Sequence, residues 1–288
     1  MNLLFLGGNR YFGKIVLKEL LKKNYKIFLV NRNSKRKKIK HKNLVYISCD
    51  RKSLVDYKDL FRDIIFDKVF DNIAYRLEEV KDLHNILNNK IKHYVFTSSS
   101  ITYLNQNDRY EAREKDWSKG KITNNMTKKY NGKDIKYAIN KRKIENYLFK
   151  NKKINSTILR IPNVVGKDDF SLKTQKLIYY PYKKTEAYKI HNNNYIQFIL
   201  KDDLVKIILK IIKKKVNKTE AYNIANNKIK IKNFYNELYK VKKLIRKRNY
   251  QTNRNFPLPI NSLMNCEKIK KKMRIKFSSI NKVINSIC

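Results

Sequence analysis

The strongest constraint on the fold is a short apolar run that ends in a glycine turn near the start of the chain. Residues 3–6 are all apolar, residues 7–13 begin and end with glycine, and residues 14–23 carry apolar side chains at helical spacing. A fully apolar run is typical of a parallel strand that is buried on both faces of a sheet. The pattern therefore predicts a strand, a tight turn and a helix, the unit from which open α/β sheets are built.

Similar apolar runs alternate with helical patterns through the first 165 residues. Further strands are predicted at 25–30, 44–47, 68–70, 93–96 and 156–160, and helices at 54–65, 76–87 and 136–150. This alternation predicts an α/β fold with a doubly wound parallel sheet of the Rossmann type. We expect this sheet and its helices to form one domain over residues 1–165.

The rest of the chain is less regular. Residues 161–194 are rich in loop-forming residues, and a helix at 202–213 and a short strand at 221–224 follow them. The Lys-rich stretch 240–250 has the pattern of a solvated helix face and loop. We predict a smaller C-terminal α/β lobe over residues 166–288 that binds the substrate, with some elements returning to the sheet.

The composition is strongly basic, with 68 Lys and Arg against 24 Asp and Glu and a net charge of +44. Such a charge predicts binding to nucleic acid or another polyanion. The chain is also rich in Asn, Ile and Tyr, which share A/T-rich codons with Lys, and its lysines are scattered along the whole sequence. We favour codon bias of the genome as the cause of the high lysine content. A dedicated nucleic-acid role stays the alternative.

The sequence offers no sign of a membrane, a disulfide or a metal. It contains no run of 18 apolar residues, and its apolar N-terminus is too short for a signal peptide. Cys49, Cys266 and Cys288 lie far apart and show neither a CxxC pair nor the spacing of metal ligands. These features predict a protein of the reducing cytoplasm without a metal site.

The glycine turn has the features of a phosphate-binding device. Glycine permits a positive φ and a close approach of the backbone, while the following helix N-terminus offers N–H groups. Gly7 and Gly13 have the spacing of the outer glycines in G-x-x-G-x-x-G, and Arg10 takes the middle position. Tight turns also use glycine for structural reasons alone. After the second strand, Arg32 stands where NAD-preferring folds carry a carboxylate, which favours NADP over NAD.

Tyr137 and Lys141 are four residues apart in a predicted helix, so their side chains share one face. An ammonium beside a phenol favours the phenolate, and the pair is therefore suited to general acid/base chemistry. The same spacing also arises on a solvated helix face in a chain so rich in Tyr and Lys. The hydroxyl-rich residues 97–100 end a predicted strand, at the edge where open α/β sheets bind ligands, and this favours the functional interpretation.

Taken together in their order along the chain, the glycine turn, the hydroxyl-rich strand end and the Tyr–Lys pair resemble those of the extended and atypical short-chain dehydrogenase/reductases, which belong to the NAD-dependent epimerase/dehydratase superfamily. The GGNRYFGK stretch is similar to the opening of an atypical branch that includes the chloroplast stem-loop-binding proteins. Pro162 is displaced by one residue from the usual proline, and Leu200 replaces the usual histidine. The motifs that carry the resemblance are GGNRYFGK at 7–14, DR at 50–51, DNIAY at 71–75, FTSSSITY at 96–103, LRIPNVVG at 159–166, QFI at 197–199 and YNIA at 222–225.

The resemblance implies that Ser99, Tyr137 and Lys141 are the catalytic residues, with Glu145 as the usual downstream glutamate. It also implies a cofactor site that is built from several of these motifs. The expected cofactor-binding residues are Gly7, Asn9, Arg10, Tyr11, Phe12, Gly13, Arg32, Asp50, Arg51, Ala74, Tyr137, Lys141, Pro162 and Val164.

The resulting hypothesis is an NADP- or NAD-dependent epimerase/dehydratase or reductase that acts on a sugar-like alcohol or carbonyl, such as a nucleotide sugar. Tyr137 would move the proton, Lys141 would anchor the ribose and lower the pKa of Tyr137, and Ser99 would orient the reacting oxygen. The alternatives are an RNA-binding relative without the chemistry and a cofactor sensor without turnover. Relatives often dimerise through helices of the dinucleotide fold, so a homodimer is also expected.

Overall fold

The computed structural model of the protein describes residues 1–32, 39–104, 111–119, 132–179, 194–241 and 263–288. The strands among these residues are β1 (Asn2–Leu6), β2 (Lys26–Asn31), β3 (Leu44–Ser48), β4 (Lys68–Asp71), β5 (Tyr94–Ser99), β6 (Ser156–Ile161), β7 (Val164–Val165), β8 (Tyr195–Ile196), β9 (Ile199–Leu200), β10 (Glu220–Asn223) and β11 (Ile229–Lys230). The α-helices are α1 (Tyr11–Leu21), α2 (Leu77–Leu87), α3 (Gly132–Lys150), α4 (Lys173–Tyr179), α5 (Lys201–Lys213), α6 (Ile231–Val241), α7 (Glu267–Met273) and α8 (Ile280–Ile287).

Seven strands form one sheet in the order β10-β6-β5-β4-β1-β2-β3. The strand β1 pairs in parallel with β2 on one side and β4 on the other, and the β2–β3 and β4–β5 pairs are parallel as well. The order of the first six strands is that of a doubly wound sheet, so the predicted fold class is confirmed. The strand order reverses between β1 and β4, and open α/β sheets bind their ligands in the crevice at such a reversal.

The central strand is buried on both faces, as its apolar sequence predicts. Leu3, Leu4, Phe5 and Leu6 have no exposed surface, because helices cover a parallel sheet on both sides. The helix α1 contributes its apolar stripe to this core, with Val16 among its fully buried residues. Burial of such side chains is the main favourable term in folding, at roughly 25 cal/mol per Å² of apolar surface.

The prediction of an α-helix over residues 54–65 is wrong. The chain instead forms two 3₁₀ segments, at Arg51–Tyr57 and Asp59–Phe61. The Asp50 carboxylate accepts a hydrogen bond from the Lys52 N–H and so begins the first turn. Leu54 and Phe61 are buried in the core, whereas other apolar side chains of the segment stay exposed. A short segment without a complete apolar face gains too little from packing to hold a regular α-helix.

The chain divides into two compact units, each made of several stretches of sequence. The first takes its described residues from Met1–Thr102, Ile122–Arg160 and Val205–Tyr222, and the second from Tyr103–Lys121, Ile161–Leu204 and Asn223–Cys288. The first unit contains the seven-stranded sheet apart from the last residues of β6 and β10. The functional division into a cofactor domain over 1–165 and a substrate lobe over 166–288 stays a prediction.

The second unit has a hydrophobic core of its own. Its fully buried residues include Val165, Leu177, Ile196, Phe234 and Val283. Two small sheets belong to it, an antiparallel pair of β8 with β11 and a parallel pair of β7 with β9. Sequence patterns predicted a loop over residues 161–194, but β7 and α4 form within it. They also missed α6, α7 and α8. Residues 242–250 of the Lys-rich stretch lie outside the described residues.

Candidate active site

The glycine turn after β1 needs both of its outer glycines. Gly7 has a φ of +85°, and a Cβ at this position would lie 2.2 Å from Cγ2 of Ile73. The Gly7 N–H donates to the Val30 carbonyl at 3.1 Å. A Cβ on Gly13 would lie 3.1 Å from the Gly7 carbonyl oxygen, so its absence lets α1 begin close against the turn. The turn is therefore narrow and brings backbone to the carboxyl end of the sheet.

The residues between these glycines form the start of α1. Arg10 is the N-cap residue and is exposed, Tyr11 has a φ of +48°, and Phe12 is buried. Asn9 is partly buried beside them. The Arg10 side chain makes no capping hydrogen bond to the first turn of α1, and that turn carries no acidic residue. Helix N-termini of this kind attract anions, so the glycine turn and α1 fit a diphosphate group.

The carboxyl ends of β2 and β3 carry polar groups. Arg32 directly follows β2 and is exposed. Asn31, the last residue of β2, lies opposite Ser48 of β3. The Nδ2 atom of Asn31 and the Oγ atom of Ser48 are buried and have no hydrogen-bond partner among the described residues. Buried polar atoms usually find partners, so these two are available to a ligand at this edge.

The two residues of the DR motif have different roles in the structure. Asp50 is exposed and caps the 3₁₀ turn that follows it. Arg51 turns inward and makes a bidentate ion pair with Asp71, with Nη1–Oδ1 at 3.0 Å and Nη2–Oδ2 at 2.9 Å. The Arg51 side chain is only 6% exposed and that of Asp71 is completely buried. The guanidinium, expected at the cofactor, is thus engaged by a buried carboxylate.

The structure brings Ser99, Tyr137 and Lys141 together. Ser99 ends β5, and its hydroxyl forms a hydrogen bond with the Tyr137 hydroxyl. Lys141 lies one turn after Tyr137 on α3, with its Nζ atom 5.5 Å from the centre of the Tyr137 ring and 4.6 Å from that of Phe96. The ring of Tyr75 stacks on that of Tyr137 at 5.4 Å and 17°. The helix spacing places Tyr137 and Lys141 on one face of α3, and the fold brings that face to Ser99 at the end of β5.

Burial dominates the titration of this cluster. It raises the pKa of Tyr137 to about 12, although the hydrogen bond with Ser99 opposes the rise. This is the reverse of the lowered pKa expected beside an ammonium. Burial also lowers the pKa of Lys141 to about 8, and the Asp71 and Glu145 carboxylates oppose that change. Removal from water penalises the charged form of each group. For Tyr137 this penalty outweighs the effect of the Lys141 ammonium, two of whose N–H groups donate to backbone carbonyls.

Glu145 belongs to a fully buried ion pair below the cluster. Its carboxylate accepts from Nε of Arg160 at 3.0 Å and from Nη2 at 2.7 Å, and neither side chain is exposed. The Ser98 hydroxyl donates to the same carboxylate at 2.5 Å. Since Glu145 lies four residues after Lys141, the pair ties this face of α3 to β5 and β6. Its contacts support the helix that carries Tyr137.

The two expected cofactor residues after β6 lie in the second unit. Pro162 is partly buried, and Val164 belongs to β7, where it pairs with Ile199. Ala74 lies in the middle of the loop between β4 and α2 and is fully buried. Its carbonyl accepts a hydrogen bond from the Lys141 ammonium.

Sequence reasoning missed two features of the site. It gave Asp71 no partner, because nothing local indicates that Arg51 would reach a carboxylate 20 residues away. It also did not foresee that Tyr75 would cover Tyr137. The DNIAY motif contained both Asp71 and Tyr75, so the signal was a strand end followed by polar and aromatic residues.

The doubly wound sheet, the narrow glycine turn and the hydroxyl groups at one sheet edge define the class of dinucleotide-binding α/β proteins. A sequence profile of the NAD dependent epimerase/dehydratase family matches residues 3–225. The chain therefore belongs to the NAD dependent epimerase/dehydratase family. No curated protein sequence matches the chain significantly.

Solved structures with the same fold cover almost the whole chain. The match to UDP-N-acetylglucosamine 4-epimerase from Methanobrevibacter ruminantium covers 99% of this chain and 95% of that protein, with 18% sequence identity and a TM-score of 0.73. The match to UDP-glucose 4-epimerase from Thermotoga maritima covers 100% of this chain and 97% of that protein, with 17% sequence identity and a TM-score of 0.69. The match to the NAD complex of dTDP-glucose 4,6-dehydratase from Bacillus anthracis covers 99% of this chain and 96% of that protein, with 15% sequence identity and a TM-score of 0.69.

In the part of the chain that the structure describes, no helix has the length and apolar character needed to cross a membrane. Within the same residues, no three His, Cys, Asp or Glu side chains are grouped so that they could hold a metal ion. None of the three cysteines forms a disulfide.

Proposed function

We propose that the protein is an NAD(P)-dependent epimerase/dehydratase or reductase that acts on a nucleotide sugar or a similar sugar-like alcohol or carbonyl. The observation that carries this proposal is the meeting of Ser99, Tyr137 and Lys141 at the carboxyl edge of the sheet. Membership of the family supports it. The nucleotide-sugar enzymes among the structural neighbours support the substrate class.

In this proposal a bound nicotinamide supplies hydride chemistry, and the chain handles the proton. Because the pKa of Tyr137 is about 12, its Oη atom holds a proton at neutral pH and is arranged to donate it to a substrate oxygen. The Ser99 hydroxyl bonds to Tyr137 and orients the same oxygen. Lys141 has two of its three N–H groups directed at carbonyls, and the third is available for a ribose hydroxyl.

The first experiment is a search for ligands. Calorimetry with NADPH and NADH would establish cofactor binding, and a thermal-shift screen of nucleotide sugars on the cofactor complex would then find the substrate. A ligand that binds only the folded protein raises its melting temperature by mass action. Failure of both dinucleotides to bind would refute the proposal.

The second experiment removes the proton donor. We expect Tyr137→Phe to reduce turnover of the identified substrate by about 10²–10⁴-fold, the usual contribution of general acid/base catalysis. The matched control is Tyr147→Phe, which removes a hydroxyl from the same helix that bonds to His84 at 3.1 Å. Equal turnover by the Tyr137 variant and the wild type would exclude Tyr137 as the proton donor.

The proposed preference for NADP rests on Arg32 and the absence of a carboxylate at the end of β2. A basic residue there suits the 2′-phosphate of NADP, whereas an acidic residue suits the ribose 2′-OH of NAD. We expect Arg32→Asp to weaken NADPH binding more than NADH binding in fluorescence titrations. Arg62→Asp is the control, because Arg62 is also exposed and ends a different segment. An unchanged ratio of the two affinities would remove the basis for NADP.

A second candidate function is RNA binding, in line with the resemblance of residues 7–14 to the stem-loop-binding branch. The net charge of +44 favours it. Affinity for any RNA will fall with salt, because phosphate neutralisation dominates such binding. The informative measurement is discrimination between stem-loop and unstructured RNA at physiological salt, and equal affinities would indicate basicity alone.

A cytoplasmic location and a homodimer are part of the proposal. Three unbridged thiols at Cys49, Cys266 and Cys288 suit a reducing compartment. Light scattering during size-exclusion chromatography measures the mass directly, and a mass of one chain of 34.7 kDa would refute the homodimer.

A further inference from the structure

The ammonium of Lys141 is held by two backbone carbonyls. It donates to the Ala74 oxygen at 2.8 Å and to the Thr97 oxygen at 2.8 Å. An ammonium has three donors, and this one makes no third hydrogen bond that is seen among the residues that the structure describes. The direction of that third N–H group depends on where the two carbonyls lie. Thr97 is fixed within β5, whereas Ala74 lies in the loop after β4.

A buried carboxylate sets the position of the Ala74 peptide. The Oδ1 atom of Asp71 accepts from the Ile73 N–H at 3.1 Å and from the Ala74 N–H at 2.9 Å. Asp71 is completely buried, so its orientation is determined by protein atoms. A side chain that bonds to the backbone two and three residues further on fixes a local turn. The loop from Asp71 to Ala74 therefore follows the Asp71 carboxylate.

Arg51 in turn holds this carboxylate. Its Nη1 and Nη2 atoms bond to the two oxygens of Asp71, and Nη2 also donates to the Glu79 carbonyl at 2.9 Å. The Tyr94 hydroxyl donates to Oδ2 of Asp71 at 2.6 Å. A bidentate arginine–carboxylate pair fixes both distance and plane, which one lysine contact does not. With its side chain 6% exposed, Arg51 has its donors directed into the protein.

We propose that Arg51 is a positioning residue of the cofactor site, which acts through Asp71 and the Ala74 carbonyl to place the Lys141 ammonium. This inference rests on the proposed function, in which Lys141 holds the nicotinamide ribose. It replaces the expectation that Arg51 itself contacts the cofactor. Burial lowers the pKa of Lys141, and the Asp71 carboxylate that Arg51 holds is the largest effect opposing this change, against a smaller lowering by Arg51 itself.

The test compares a whole dinucleotide with its adenylate half. Calorimetry measures the binding of NADP⁺ and of 2′,5′-ADP, or of NAD⁺ and ADP if the wild type prefers NAD⁺. We expect Arg51→Met to weaken dinucleotide binding about tenfold, the effect of one hydrogen bond to a charged group, and the half by less than about twofold. Arg51→Lys keeps one bond to Asp71 and should be intermediate. Arg62→Met, at an exposed arginine, is the matched control.

Two further variants connect the effect to Lys141 and protect against misfolding. Lys141→Met should weaken dinucleotide binding as much as Arg51→Met does, and the double variant should lose little more, because residues acting through one contact are not additive. Arg51→Met with Asp71→Asn removes both buried charges and should fold even where Arg51→Met does not. It should show the same selective loss of the dinucleotide.

The outcomes separate this inference from the proposed function. Loss of the dinucleotide with retention of its half, without additivity, supports the positioning role. Equal loss of both ligands would show that Arg51 contacts the adenylate, and no loss of either would show that it has no part in binding. Both results overturn the inference and leave the enzyme proposal intact. A wild-type protein that binds neither ligand would overturn both.

Discussion

Removal of the Arg160 guanidinium tests how the core of the first unit accommodates charge. Arg160 and Glu145 are fully buried, and the contacts between them are 2.7–3.2 Å long. With methionine at position 160, Ser98 is the remaining side-chain donor to Glu145 among the described residues. The carboxylate would then be buried with this hydrogen bond and the more distant charge of Lys141 as its compensation. We expect Arg160→Met to lower the free energy of unfolding by about 3–5 kcal/mol.

Thermal unfolding followed by circular dichroism measures this loss. In a protein of this size, such a change corresponds to a fall in Tm of roughly 10 °C. The matched variant is Arg160→Met with Glu145→Met, which removes both charges and keeps most of the volume. We expect this double variant to lose less than about 2 kcal/mol, because neither charge of the pair is left behind and the Ser98 hydroxyl loses its acceptor.

The two single variants and the double variant form a cycle that can refute this reasoning. If Arg160→Met is as stable as the wild type, water or a neighbouring group compensates the Glu145 charge. If the double variant loses the sum of the losses of Arg160→Met and Glu145→Met, the two side chains do not act as a pair. Either result would contradict the account of the buried pair given above.

Three other predictions follow from single sites. In urea titrations, Gly7→Ala should lower the free energy of unfolding by about 2–4 kcal/mol, because φ at this position is +85° and the new Cβ would lie 2.2 Å from Cγ2 of Ile73. The same variant should weaken dinucleotide binding. Gly132→Ala is the control and should leave stability unchanged, because a Cβ at this position meets no described neighbouring atom within 4 Å. Burial lowers the pKa of His93 to about 3, so the stability it contributes is complete above pH 6.5 and falls as the unfolded chain takes up a proton below that pH. By pH 5 the loss is on the order of 2 kcal/mol in urea titrations, and His93→Gln should show a smaller loss between pH 7 and pH 5; an equal loss would assign the effect to other groups. Tyr75→Ala removes a ring stacked on Tyr137 and should lower the pKa of Tyr137, so the alkaline limb of the pH–rate profile moves to lower pH. Tyr75→Phe keeps the stacking and should move that limb less, and an unmoved limb in both variants would show that stacking does not control this pKa.

Elements with a complete local pattern were predictable from the sequence. The apolar run at 3–6 and the glycine pair around Arg10 predicted β1, the turn and α1 to within a few residues. The alternation of strands and helices predicted the sheet class, because parallel strands need a long crossover connection, for which a helix is the usual solution. The helix predicted over residues 54–65 did not form as a regular α-helix, because only Leu54 and Phe61 among the apolar side chains of this segment are fully buried.

The candidate site was predictable in composition but only in part in arrangement. The four-residue spacing of Tyr137 and Lys141 requires one helix face, and the structure has both on α3. The direction of the Tyr137 pKa shift was predicted wrongly, because the sequence shows the neighbouring ammonium and not the depth of burial. Burial depends on how many chain segments cover a residue, which no local pattern records.

The sequence by itself determined the order of the elements, the turn that only glycine can make at Gly7, and the face of α3 that carries Tyr137 and Lys141. These features depend on backbone conformation and on neighbours within four residues. The tertiary structure alone decided that Arg51 meets Asp71 and that Glu145 meets Arg160. A buried charge must find an opposite charge, and in so basic a chain many cations compete for few carboxylates. The choice among them is made by strand order and packing, which bring distant residues together.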